Sequence, residues 1–182
     1  MQAHNIKALI FDRDGTLIEH IPYLSNPNAV KLLPGVKEGM KILKSLNYTF
    51  FLHTNQSGVG RNYFSIHDVH SCNNRMIELM ELEINLFERV CIATEVPSDP
   101  IQYRKPSSLF AKDLMDFYGF SANEMCFIGD RSTDLQVAIE LGASAIGINT
   151  GLVDLKEELK GLNGAEDIPI FDSFTKVVDY LI

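Results

Sequence analysis

The sequence predicts an α/β protein built on a doubly wound parallel sheet, and two observations predict it. Five short apolar, β-branched or aromatic runs recur along the chain, and amphipathic stretches of helical spacing lie between them. Such runs suit strands covered on both faces, because a parallel sheet carries its crossover helices there. Strand–helix alternation then closes through right-handed crossovers. The 182 residues, 46% of them hydrophobic, can fill one core, so residues 1–182 are read as a single domain.

Taken in order, Ile6 to Phe11 is the first strand, stopped abruptly by Asp12-Arg13-Asp14-Gly15. Pro34-Gly35 opens a helix to about Leu46, with Val36, Met40, Leu43 and Leu46 on one face. Tyr48 to His53 is the second strand. Ser65 caps the next helix, where Ile66, Val69, Met76, Met80 and Ile84 form an apolar stripe for the core. Arg89 to Thr94, Met125 to Ile128 and Ser144 to Ile148 are the remaining strands. Helices over Leu109 to Phe117 and Asp134 to Leu141 stop at Gly119 and Gly142.

Charge and composition exclude several classes. Asp and Glu number 24 against 16 Lys and Arg, a formal net charge of −8, which argues against nucleic-acid and anionic-membrane partners. No apolar run approaches the ~18 residues of a membrane span. Met1 to Asn5 lacks the basic start and apolar stretch of a signal peptide, so a cytoplasmic location is expected, with a monomer favoured by the acidic surface. Cys72, Cys91 and Cys126 are too few and scattered for a disulfide framework and read as small core hydrophobes.

Doubly wound sheets bind ligands beyond the carboxyl ends of their strands, so the residues that follow each strand matter most. They are Asp12 to Thr16, Thr54 to Gly58, Arg104 to Pro106, and Gly129 to Asp134. Asp12, Asp14 and Asp130 bring carboxylates into one small space, where two unit charges ~4 Å apart repel by about 4 kcal/mol at an effective dielectric near 20. The cluster needs a cation, and oxygen ligands without Cys or His suit Mg²⁺ rather than zinc. A lysine and hydroxyl donors beside it make a phosphate site, Lys105 holding a phosphoryl oxygen and Thr54 donating a hydrogen bond.

At this point the sequence resembles the haloacid dehalogenase-like (HAD) phosphohydrolases, with four motifs in order. Asp12-Arg13-Asp14-Gly15-Thr16-Leu17 looks like their first motif, Thr54 the second, Lys105 the third, and Gly129-Asp130 with Asp134 the fourth. The wording around Thr54-Asn55-Gln56-Ser57-Gly58 and Arg104-Lys105-Pro106 is similar to the branch of D,D-heptose 1,7-bisphosphate and histidinol-phosphate phosphatases. The resemblance implies a HAD-like Rossmannoid fold and a two-step phosphoryl transfer. Asp12 would be the nucleophile and Asp14 the acid and base, with Thr54 and Lys105 stabilising the transferring group. Asp12, the Asp14 carbonyl and Asp130 would hold Mg²⁺. His20, Ile21, Pro22, Tyr23, Asn55, Gln56, Ser57, Arg104 and Arg131 would meet the substrate, a small phosphorylated sugar.

The pattern departs from that branch where many members carry a Cys- and His-rich zinc loop. Here the loop Glu95 to Tyr103 has neither, is stiffened by Pro97 and Pro100, and predicts no zinc. The 40 residues from Asp14 to Thr54, and the interval from Thr54 to Lys105, leave no room for a large cap domain. Among bland readings, His53 is a packed strand residue, His67 and His70 a solvated helix face, and Lys156 to Lys160 another. A histidinol-phosphate or polynucleotide-end phosphatase, or a non-catalytic phosphate-binding scaffold, is the alternative to a heptose bisphosphate phosphatase.

Overall fold

A computed structural model describes residues 5–182; Met1 to His4, part of the N-terminal stretch discussed above, lie outside the described residues. Strands β1 (Ala8–Phe11), β2 (Thr49–Asn55), β3 (Arg89–Ala93), β4 (Met125–Gly129), β5 (Ser144–Ile148) and β6 (Ile170–Phe171) form one sheet. Every pairing is parallel and the order is β3-β2-β1-β4-β5-β6. The chain therefore leaves β1 first to one side and later to the other, which opens a crevice beyond its carboxyl end. The expected doubly wound fold is found.

β1 divides the core by its pleat. Leu9 and Phe11 face one cluster, with Met40 of α1 (Val36–Ser45), Met76 of a later helix over Ile66–Met80, and Phe174 and Val178 near the C-terminus. Ala8 and Ile10 face the other, with Phe110 and Leu114, and with Leu135. The short helix α2 (Ser57–Gly60) follows β2, and α3 is the Ile66–Met80 helix. After β3 and β4 come α4 (Leu109–Tyr118) and α5 (Ser132–Leu141), and a short α6 (Leu155–Glu158) follows β5. Helix α7 (Phe174–Leu181) completes the first face.

Local chemistry sets the ends. At the start of α3 the Asp68 N–H donates to Ser65 Oγ at 3.3 Å and the Ser65 N–H to Asp68 Oδ2 at 2.8 Å, a reciprocal cap. The helix stops at Met80 because Glu81 turns left-handed at φ 56°, its carboxylate taken by Lys37 and Lys41. Ile84 therefore falls in the connection to β3 and is 63% exposed, a correction to the apolar stripe. Leu46 and Ile66, at helix ends, are exposed as well. The short α2, β6 and α7 had no expectation, α7 being capped by Ser173 Oγ, which accepts from the Lys176 N–H at 3.4 Å. The intervals on either side of Thr54 hold loops, a single 3-10 turn at Pro27–Ala29, α1 to α3 and strands, with no inserted domain among the described residues. None of the described helices is long and apolar enough to cross a membrane.

Candidate active site

The turn after β1 starts the site. The Asp12 N–H donates to Ile128 O on β4 at 2.9 Å, and the Leu17 N–H returns to Arg13 O at 2.9 Å. Gly15 makes the turn at φ 85°, where a Cβ would run into the Asp130 carboxylate. Gly151, beyond β5, presses on the same carboxylate from another side, and Thr150 Oγ1 donates to Gly15 O at 2.6 Å. Two loops thus close on Asp130 because neither carries a side chain there.

Three carboxylates and one ammonium meet in this space. Asp12, Asp130 and Asp134 each offer an oxygen within 4.8 Å of the others. Lys105 Nζ lies 2.6 Å from Asp12 Oδ1, 2.6 Å from Asp134 Oδ1, and donates to His53 O at 2.6 Å. Asp130 is 1% exposed, and neither of its oxygens has a hydrogen-bond partner among the described residues. Burial first, then Asp12 and Asp134, push the Asp130 carboxyl well above the usual carboxylate range. Asp12 is raised as well, by burial and by Asp134 and Asp14, against the pull of Lys105. Burial alone would lower the Lys105 ammonium, but Asp12 and Asp134 reverse this and hold it above its ordinary value. A buried cluster with more negative than positive charge and a bare carboxylate fits a hard, oxygen-seeking cation. The third carboxylate of that group is Asp134, whereas the metal set expected from the sequence names Asp14, through its backbone carbonyl.

The Asp14 side chain turns elsewhere. Arg13, fully buried, forks onto it, with Nη2 2.9 Å and Nε 3.0 Å from Asp14 Oδ2, and anchors its Nη1 on Asn73 Oδ1 of α3 at 3.0 Å. Gln56 Nε2 donates to Asp14 Oδ2 at 2.9 Å and to Thr54 Oγ1 at 2.8 Å. Arg13 and Asn73 were missed, since 60 residues separate them. Thr54 is 1% exposed and lies behind the pocket wall. The Asn55 amide is engaged at both ends by Lys105, accepting from its N–H at 2.9 Å and donating to its carbonyl at 3.3 Å.

These groups floor a pocket of about 450 Å³, within the ~300–1,000 Å³ usual for small-ligand sites. Apart from Thr54, every residue expected at the site lines it: Asp12, Asp14, His20 to Tyr23, Asn55 to Ser57, Arg104, Lys105, Asp130 and Arg131. Phe64, Thr133 and Leu24 line it too and carried no motif. Tyr23 and Tyr63 stand edge to face at 4.9 Å, both exposed. The Arg131 guanidinium is held 2.7 Å from Glu158, whose Oε2 also accepts the Ser132 N–H at 2.9 Å. Glu158 is therefore no idle part of a solvated face, which corrects the reading of Lys156 to Lys160. His53 is buried as expected, with Nε2 2.8 Å from Tyr103 O.

Sheet order and rim together define the class as a HAD-like α/β domain. A family model described as HAD-hydrolase-like matches residues 102–177. The histidine biosynthesis bifunctional protein HisB of Legionella pneumophila is 30% identical over 146 residues, 79% of this chain and 41% of that protein. The D-glycero-beta-D-manno-heptose-1,7-bisphosphate 7-phosphatase of Pseudomonas putida is 25% identical over 178 residues, 97% of this chain and 100% of that one. A solved D,D-heptose 1,7-bisphosphate phosphatase from B. bronchiseptica, complexed with magnesium and phosphate, shares the fold. Its TM-score is 0.86 at 23% identity, over 97% of this chain and 98% of that one. The fold is HAD-like, and these relatives carry the names of the branch its motifs resemble. It spans about four-tenths of the length of the HisB proteins it matches, at 41%.

Proposed function

We propose that the chain is a Mg²⁺-dependent phosphomonoesterase that removes a phosphate from a heptose 1,7-bisphosphate or a similar small sugar phosphate. One observation carries the reading: Lys105 joins Asp12 to Asp134 beside the unpartnered carboxylate of Asp130, on the floor of an open pocket. Asp12, Asp130 and, through its carbonyl, Asp14 would hold the cation, with Asp134 at hand. When bound, Mg²⁺ would offset charge on the carboxylates and the phosphate alike. No zinc is part of this proposal.

The chain's own groups then divide the work. Lys105 fixes one oxygen of Asp12, leaving the other to attack phosphorus while the bond from phosphorus to the substrate oxygen breaks. Asp14 gives its proton to the departing alkoxide and later takes one from the water that attacks the aspartyl-phosphate, which frees phosphate and restores Asp12. Arg13 and Gln56 set the direction of the Asp14 carboxylate for both steps. Lys105 stabilises the transferring group, chiefly by position and charge, while Thr54, behind the wall, acts through Gln56, whose Nε2 donates to its hydroxyl oxygen. The open mouth, without a cap, leaves Tyr23, Arg104 and Arg131 to select the substrate's remaining bulk.

Phosphate release tests this, with both heptose 1,7-bisphosphate anomers, histidinol phosphate and a panel of sugar monophosphates, for the wild type and Asp12→Asn. Turnover of one heptose bisphosphate, abolished in the variant, is expected. The HisB match favours histidinol phosphate as a second reading, and preference for it would replace the heptose assignment. Turnover that survives Asp12→Asn, or no turnover at all, refutes the mechanism.

A further inference from the structure

We infer that Glu95 is the positioning residue of the Arg104–Lys105 segment, its carboxylate stapling down the loop that delivers the site lysine. The inference deepens the phosphatase reading and rests on it.

The segment from Gln102 to Pro106 belongs to no helix or strand, so its backbone groups need other partners. One oxygen supplies three of them. Glu95 Oε1 accepts from the N–H groups of Gln102 at 3.2 Å, Tyr103 at 2.6 Å and Arg104 at 3.0 Å. Successive N–H groups converging on one point form an anion-binding concavity, and here a carboxylate of the same chain fills it. Burial would raise the Glu95 carboxyl, but its backbone N–H bonds outweigh this and hold it below the usual range, so it stays a charged acceptor at neutral pH. Arg104 Nη1 donates back to Glu95 O at 3.3 Å, which turns that guanidinium along the pocket wall.

The other side of the same segment is tied to β2. His53 Nε2 meets Tyr103 O at 2.8 Å, and the Asn55 amide holds both backbone groups of Lys105. Residues 103 to 105 are thus braced between β2 and Glu95, and Lys105 reaches Asp12 from this brace. Among the described residues, the exposed stretch from Pro97 to Ile101 has hydrogen bonds only in its own Val96–Asp99 turn, so Glu95 is what closes it. Without the carboxylate, three N–H groups lose their acceptor and the two residues that face substrate lose one side of their support.

The test follows hydrogen exchange at the Gln102, Tyr103 and Arg104 amides together with steady-state phosphate release. It compares the wild type, Glu95→Ala, Glu95→Gln, and Glu95→Ala with added formate. Glu95→Ala is expected to lose protection at those amides and to drop kcat/KM about tenfold to a hundredfold. Its kcat falls through Lys105 and its KM rises through Arg104. Glu95→Gln keeps an accepting carbonyl and most of both properties, and formate returns part of each to Glu95→Ala. Should Glu95→Ala not fold, Glu95→Asp, one methylene too short, shows the losses that Glu95→Gln does not. Unchanged protection in a folded Glu95→Ala, or lost protection with kcat/KM intact, overturns the inference. A wild type that releases no phosphate sinks the underlying reading instead, and exchange then still decides whether Glu95 holds the segment.

Discussion

Buried charge governs the single residues of the rim, and His53 shows it most sharply because it is kept neutral. Its ring is 1% exposed, Nε2 is used on Tyr103 O, and Nδ1 has no partner among the described residues. A proton on Nδ1 would be buried and unpaired, close to the Lys105 ammonium. Burial first, and Lys105 second, lower its pKa from 6.5 to about 3. The unfolded chain therefore takes that proton more readily than the native one. Stability from this residue is intact above pH 6.5 and is lost progressively as the pH falls from there toward about 3. Near pH 5 the loss is about 2 kcal/mol. Urea unfolding near pH 7 and near pH 5 should show the wild type losing about that much more than His53→Gln, whose amide can still donate to Tyr103 O. Equal losses in both proteins would assign the acid sensitivity to other groups.

Turns between elements, more than the elements themselves, bring the carboxylates together, and the one after β1 is the most constrained. Gly15→Ala would place a side chain at φ 85° and push it into the Asp130 carboxylate. The left-handed strain alone costs about 1–2 kcal/mol, and the displaced carboxylate is the one with no other partner. Titration calorimetry with Mg²⁺ is expected to give a heat of binding for the wild type and none for the folded variant; undiminished binding in the variant would remove Asp130 from the proposed cation site. The elements around this turn were legible in the sequence, because strands buried on both faces read as apolar runs and Asp12 and Asp130 follow one directly, whereas Thr54 falls inside β2 and Lys105 stands in the longer loop after β3. β6 was not, since two residues, Ile170 and Phe171, make too short a run to stand out. The ties that aim the site were not legible either. Arg13 with Asn73, Glu95 with Tyr103 and Arg131 with Glu158 join residues that no local spacing links, and they exist only once the sheet has placed their loops side by side.

Across the whole molecule, the last stretch of chain, which no motif covers, supports the strand that carries the proposed nucleophile. Phe174 of α7 is 1% exposed, and its ring lies 6.2 Å from that of Phe11, the residue before Asp12. α1 meets the same helix through Gly39, where a Cβ would strike Val178 and Phe174, and Tyr48 Oη donates to Leu181 O at 3.1 Å. Emptying this position removes packing from the face of β1 that the helices cover. Phe174→Ala is expected to cost about 3–5 kcal/mol, a large part of the ~5–15 kcal/mol that holds a domain together, and to lower Tm by roughly 10 °C. Activity should follow a different course. Asp12 is held by Ile128 O, and β1 keeps its ladders to β2 and β4. Phosphate release measured well below the lowered Tm should therefore stay within severalfold of the wild type. A variant as stable as the wild type would show that α7 is an appendage. A variant stable enough to stay folded but as inactive as Asp12→Asn would mean that the cavity reaches the nucleophile through Phe11, making the core of this face part of the catalytic apparatus.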